Sequence, residues 1–184
     1  MSATTAPAFM FRRRSWLGLA VGLFLLYGAA NVLIAAGTTI ELHRNGAGGA
    51  GETLVLSQTA DTALLGRSPS ALAKADPKLG AFLVSFMDSM CAYMMAVGLL
   101  TLGLAWFALR RGHAWALWTL AVGNLAVAPF YVAIVRLYAR FGVPPGNLFV
   151  LELFTAILVA ATAFGWIGLR THSARAGLSG SGRA

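Results

Sequence analysis

The chain has 184 residues, of which 58% are hydrophobic and 11% charged, whereas soluble domains carry about a quarter charged residues. That deficit, with a mean hydropathy of +0.73, excludes an ordinary water-soluble globular protein and points to a bilayer. The formal charge of +8 would suggest nucleic acid in a soluble protein, but here the arginines flank apolar segments, where they anchor helices, and no nucleic-acid partner is expected.

About 20 helical residues cross a hydrocarbon core ~30 Å thick, and four apolar stretches qualify: residues 16–36, 79–109, 114–135 and 148–169. The predicted fold is an all-α integral membrane protein, an antiparallel bundle of four transmembrane helices forming a single membrane domain over residues 1–184. Residues 1–10 are small and uncharged and read as a loose tail. Arg12, Arg13 and Arg14 before the first stretch resemble the start of a secretory signal. The apolar run is longer than the ~7–15 residues of a signal core, so it is read as a retained span.

The outer loop, residues 37–78, follows. Residues 38–43 and 52–56 carry β-branched residues and read as strands, with a glycine-rich segment at 45–51 between them, so a short β-hairpin is predicted. Ser68-Pro69 is an N-cap followed by proline at the first helical position, predicting a short helix to about Ala75. Asp76-Pro77 repeats the signal and starts the second span, which is long enough to tilt or to project above the membrane by two turns. The turn at 110–113 is so short that spans two and three must be antiparallel neighbours. Pro129 should kink span three, and the Gly/Pro-containing link at 136–147 turns into span four. Residues 173–184 have the composition of a disordered tail.

Orientation follows from the flanks. Arg12, Arg13, Arg14, Arg110, Arg111, Arg170, Arg175 and Arg183 fall on one side, free of acids, and the positive-inside rule makes that side cytoplasmic, with both termini there. In an up-down bundle Trp16, Trp106, Trp115, Trp118 and Trp166 all fall in that same leaflet, as interfacial indoles prefer. Heavy use of alanine, glycine and arginine suggests a bacterial source and an inner-membrane address.

Two acids lie within spans, Asp88 and Glu152. A charged side chain at bilayer centre costs ~2.5–3.5 kcal/mol on insertion scales, which makes such residues site candidates. Asn31, Asn124, Tyr131 and Arg136 share the outer half with them. One reading is an outward-facing ligand pocket with Asp88 and Glu152 as acidic members, Arg136 as counter-ion, and Asn31, Asn124 and Tyr131 as a hydrogen-bonding wall. The other is a polar clasp that holds the helices in register. Glu152 is also shallow enough to reach interfacial water. Met87, Met90, Cys91, Met94 and Met95 crowd two turns of span two, and such sulfur ligands can hold Cu(I). No second span is rich in sulfur and no span contains histidine, so these residues are read as adaptable packing and no metal or haem is expected. The single Cys91 makes no internal disulfide.

No nucleophile elbow, zinc-protease helix or P-loop occurs. The span layout resembles that of small four-span bacterial membrane proteins such as the DoxX-like group, and the single large loop after span one resembles claudin-like architecture. The tryptophan and paired-cysteine signature of claudins is absent from residues 37–78, so the resemblance implies layout alone and transfers no residue role. The expected function is a non-enzymatic membrane component or accessory subunit that packs with other membrane proteins or with its own kind, without cofactor. The alternative is a membrane-embedded binder, carrier or enzyme for an amphiphile or lipid, using the pocket around Asp88 and Glu152.

Overall fold

The computed structural model describes residues 15–49, 51–144, 146 and 148–180, and for 172–180 the backbone alone. Seven α-helices form among these residues: α1 (Trp16–Asn45), α2 (Gln58–Leu65), α3 (Pro69–Ala75), α4 (Pro77–Gly103), α5 (Ala114–Leu125), α6 (Ala128–Arg140) and α7 (Phe149–Gly180). Four helical segments are long and apolar enough to cross a membrane: Trp16–Gly48, Pro77–Arg111, Ala114–Arg140 and Phe149–Thr171. The loose tail expected at residues 1–10 lies outside the described residues.

The helix starts follow their caps. Ser15 accepts from the Gly18 amide at 3.1 Å, and Ser68 accepts from the Ala71 amide with Pro69 in the first turn of α3. Asp76 accepts from the Lys78 and Leu79 amides at the head of α4, where Pro77 lacks an amide that would need a partner. At the far end of α4 the chain passes through a π-helical turn at Leu104–Ala108 and a 3-10 turn at Leu109–Arg111, then reverses at Gly112 with φ of 83°. That reversal makes α5 antiparallel to α4, as the short turn required.

Two expectations fail. The hairpin does not form: residues 38–43 are the last turns of α1, residues 52–56 are loop, and no strand occurs among the described residues. Ala35, Leu42 and, just beyond the helix, Ala47 are buried, so packing against neighbours extends α1 through a β-branched stretch whose own propensity is weakly helical. In addition, α7 continues to Gly180, past the expected span end and into the segment expected to be disordered. Residues 181–184 lie outside the described residues. Pro129 does more than kink span three: Ala126 and Val127 leave the helix, dividing it into α5 and α6.

α1 is the organising helix. It packs along both α4 and α7, which flank it and scarcely meet one another, while α5 leans on α7. The dense core occupies one end of the bundle, where Leu17, Val21 and Phe24 of α1 meet Ala105, Ala108 and Leu109, Leu117 and Leu120 of α5, and Leu158 and Ala161 of α7. Close approach is set by glycine. A Cβ on Gly168 would lie 2.5 Å from the Leu17 amide nitrogen, and one on Gly98 would lie 2.8 Å from the Gly28 carbonyl.

The tryptophans belong to this packed end. Trp118 meets Trp166 edge-on at 5.3 Å, Trp16 lies 5.3 Å from Phe164, and Arg110 and Arg170 stack over Trp106 and Trp166 at 4.2 Å. A cation on the indole face with its charge turned to the headgroups suits an interfacial belt.

Candidate functional site

The opposite end, expected to be the outer one, is built differently. Residues 46–76 form a cap across it. Gly49 presses onto the end of α1, where a Cβ would collide with the Glu41 carbonyl, Gly48 faces Ser70 and Glu52, and α3 packs back on the start of α4. Glu52 accepts from the Ser70 amide at 3.1 Å. The hydrogen bonds from Ser70 hold its carboxyl below the ordinary carboxylate value, with Ser68 and the Lys74 charge adding to the effect.

Asp61 of α2 is the anchor of the cap. It is 1% exposed, and its carboxylate accepts from three consecutive amides: Leu54 at 2.7 Å, Val55 at 2.9 Å and Leu56 at 3.3 Å. The Tyr138 phenol of α6 donates to the same carboxylate at 2.7 Å. Ala60, Leu56, Leu64 and Ile134 close around the pair with Val143. A buried carboxylate is tolerated only when its acceptor sites are filled, and here four donors fill them. Sequence reasoning missed this pair, because Asp61 lay in a loop and Tyr138 beyond the predicted end of span three.

The structure separates the two acids that were grouped together. Counted from the Leu17–Gly168 contact at ~1.5 Å of rise per residue, Glu152 lies about 24 Å outward along α7. Asp88, counted through the Gly28–Gly98 contact, lies about 31 Å from the Leu17–Gly168 contact along α1 and α4. There it pairs with His43 of α1 at 3.2 Å; the His43 side chain is 65% exposed and the Asp88 side chain 31%. The other Asp88 oxygen, Oδ1, is buried without a partner. α1 stands between the two acids, so Asp88 and Glu152 share no pocket lining.

Two of the neutral members, Asn31 and Asn124, are buried in the bundle. Asn31 donates to the Tyr27 carbonyl at 2.9 Å. The Tyr27 ring meets Phe154 of α7 edge-on at 5.3 Å. Asn124 donates to Thr101 Oγ1 of α4 at 3.4 Å and to the Leu120 carbonyl at 2.8 Å, and its own Oδ1 is buried without a partner. The Tyr27–Phe154 contact joins α1 to α7, and the Asn124–Thr101 bond joins α5 to α4.

Arg136 is not aimed at these residues. On α6, Tyr131, Ile134, Val135 and Tyr138 are covered or half-covered, whereas Pro129, Val132, Ala133, Arg136 and Arg140 are exposed on the opposite face. α6 makes only sparse contact with the other helices and is held outward chiefly through Tyr138. Met87 and Cys91 are buried on the α4 face, while Met90 is 44% exposed and Met94 half-buried, so the methionines do not converge. Among the described residues no group of three or more His, Cys, Asp or Glu side chains is placed to hold a metal.

A shallow surface lies open along one of the spans. It runs along α7 and is lined by Leu151, Glu152, Thr155, Ala156, Val159, Ala160 and Ala163. Phe154, Leu158 and Gly165 turn the other faces of α7 toward α1 and α5, so this groove is the side that no helix of the chain covers. Among the described residues the Glu152 side chain has neither a hydrogen bond nor an ion pair.

No protein-family model matches the chain, and neither a characterised protein nor a solved structure is significantly similar to it.

Proposed function

We propose that this is a non-enzymatic component of the bacterial inner membrane that works by docking a helix of a membrane partner on α7, with both of its termini in the cytoplasm. The observation that carries this reading is the α7 groove. Small side chains at Ala156, Ala160 and Ala163 let a second helix approach closely, which is how helices associate where lipid is the solvent. Thr155 and the unpaired Glu152 border the groove inside the outer leaflet, where a polar group without a partner is costly and one with a partner is specific. The belt of tryptophan and arginine at the packed end supports the orientation.

Native mass spectrometry of the full chain extracted in mild detergent tests this. The wild-type protein should carry a second polypeptide, and Ala160→Leu, which fills the groove, should release it. A bare chain, or one carrying lipid alone, would overturn the reading.

A second reading has its own observation. The orphaned Asn124 Oδ1, beside Thr101 of α4, is an acceptor available to the hydroxyl of an amphiphile that enters the bundle. In that case Asn124→Leu would abolish retention of a bound lipid-like molecule and Glu152→Gln would not.

A further inference from the structure

The chain carries a charge that suits the α7 groove. Glu152 in that groove has no partner, and Arg136 and Arg140 are exposed and unpaired on the outer face of α6, with Arg136 the nearer to Glu152 in depth. We propose, building on the docking reading, that the partner is a second copy of this chain, its α6 seated in the α7 groove and the partner subunit's Arg136 paired with Glu152.

Depth, direction and shape agree. Asn124 is level with Thr101 of α4 through their hydrogen bond, and Arg136, twelve residues on across the break between α5 and α6, lies at most about 18 Å further out. That puts it within roughly one helical turn of Glu152. Side chains lean toward the N-terminus of their helix. α6 runs outward, so Arg136 leans inward; α7 runs inward, so Glu152 leans outward, and the remaining gap closes. The exposed α6 face is narrow at Pro129 and Ala133, which suits a groove floored by Ala156 and Ala160.

A twofold axis along the membrane normal makes the contact occur twice, so one isologous interface pairs both copies of Glu152 and of Arg136. A foreign partner would have to bring a cation for Glu152 and still leave Arg136 unpaired. Within one copy the pairing is absent, because Arg136 sits on the face of α6 turned away from its own chain.

The test counts subunits of the full-length protein, labelled singly and diluted into phosphatidylcholine vesicles, by photobleaching steps. The wild-type chain should be dimeric. Glu152→Arg and Arg136→Glu should each lower the dimerisation constant by about tenfold or more, and the two together should restore most of it. Should the charge swaps fail to insert, a disulfide test in native membranes replaces them. Ala156→Cys with Val132→Cys should yield a covalent dimer, and Leu99→Cys on an exposed face of α4 should yield none. Wild-type monomers, a double swap no better than the single ones, or equal cross-linking at Leu99 would overturn the proposal. A wild-type monomer that still carries a different polypeptide released by Ala160→Leu would sink the self-pairing while leaving the docking function standing.

Discussion

Tyr138→Phe isolates the join between the cap and α6. The substitution keeps the ring among Ala60, Leu56 and Ile134 and removes only the hydroxyl that donates to Asp61 at 2.7 Å. A hydrogen bond to a charged acceptor contributes about 1.5–3 kcal/mol, and the carboxylate left behind is 1% exposed, so water does not readily replace the lost donor. Opening of the cap should therefore become roughly 10- to 150-fold more frequent. Hydrogen exchange of the protein in lipid nanodiscs reads this at the Leu54, Val55 and Leu56 amides, which Asp61 holds. Exchange there should accelerate, while Leu117 and Leu120 in the packed end stay protected. Unchanged protection at 54–56, or equal loss at Leu117 and Leu120, would refute the claim that cap and core are stabilised separately.

Three further outcomes follow from the same structure. Gly98→Val places a branched side chain against the Gly28 carbonyl and Val32, and should cost about 1–3 kcal/mol by overpacking, read as a lowered thermal midpoint in detergent; Gly103→Ala, with nothing within 4 Å, should leave the midpoint unchanged or raise it. The Glu52 carboxyl titrates below its unfolded value, so its cap on α3 is fully present above the unfolded value and is lost as pH falls through the folded one. The Ser70 amide resonance should follow that titration and be insensitive to acid in Glu52→Gln. Asp88→Asn should change stability by less than about 1 kcal/mol in the same melt, because its partner His43 is largely exposed. A loss much larger than that would place Asp88 inside the hydrocarbon after all.

What the sequence revealed was what local chemistry decides. Ser68-Pro69 and Asp76-Pro77 cap helices by their own side chains, so α3 and the start of α4 were readable at the residue level. The four spans were readable because hydropathy over twenty residues outweighs propensity at any one of them. Thr38-Thr39-Ile40 misled because β-branched residues favour strands only where nothing else decides, and here the burial of Ala35, Leu42 and Ala47 beside α4 did. Asp88 looked deep because depth was counted from the start of its own helix. Its distance from the packed end is fixed instead by the contact of α4 with α1 through Gly98 and Gly28. The Asp61–Tyr138 bond joins residues 77 positions apart and leaves no local trace. Arg136 was expected as a counter-ion within one pocket, but the face it takes on α6 depends on how that helix turns after Pro129.

The most direct test of the account places a photoreactive amino acid at Ala160, in the floor of the α7 groove, and a control at Leu99, 55% exposed on α4, in living membranes. The account predicts that irradiation at Ala160 joins the chain to another polypeptide and that Leu99 yields lipid adducts alone. Lipid adducts alone at both positions would contradict it.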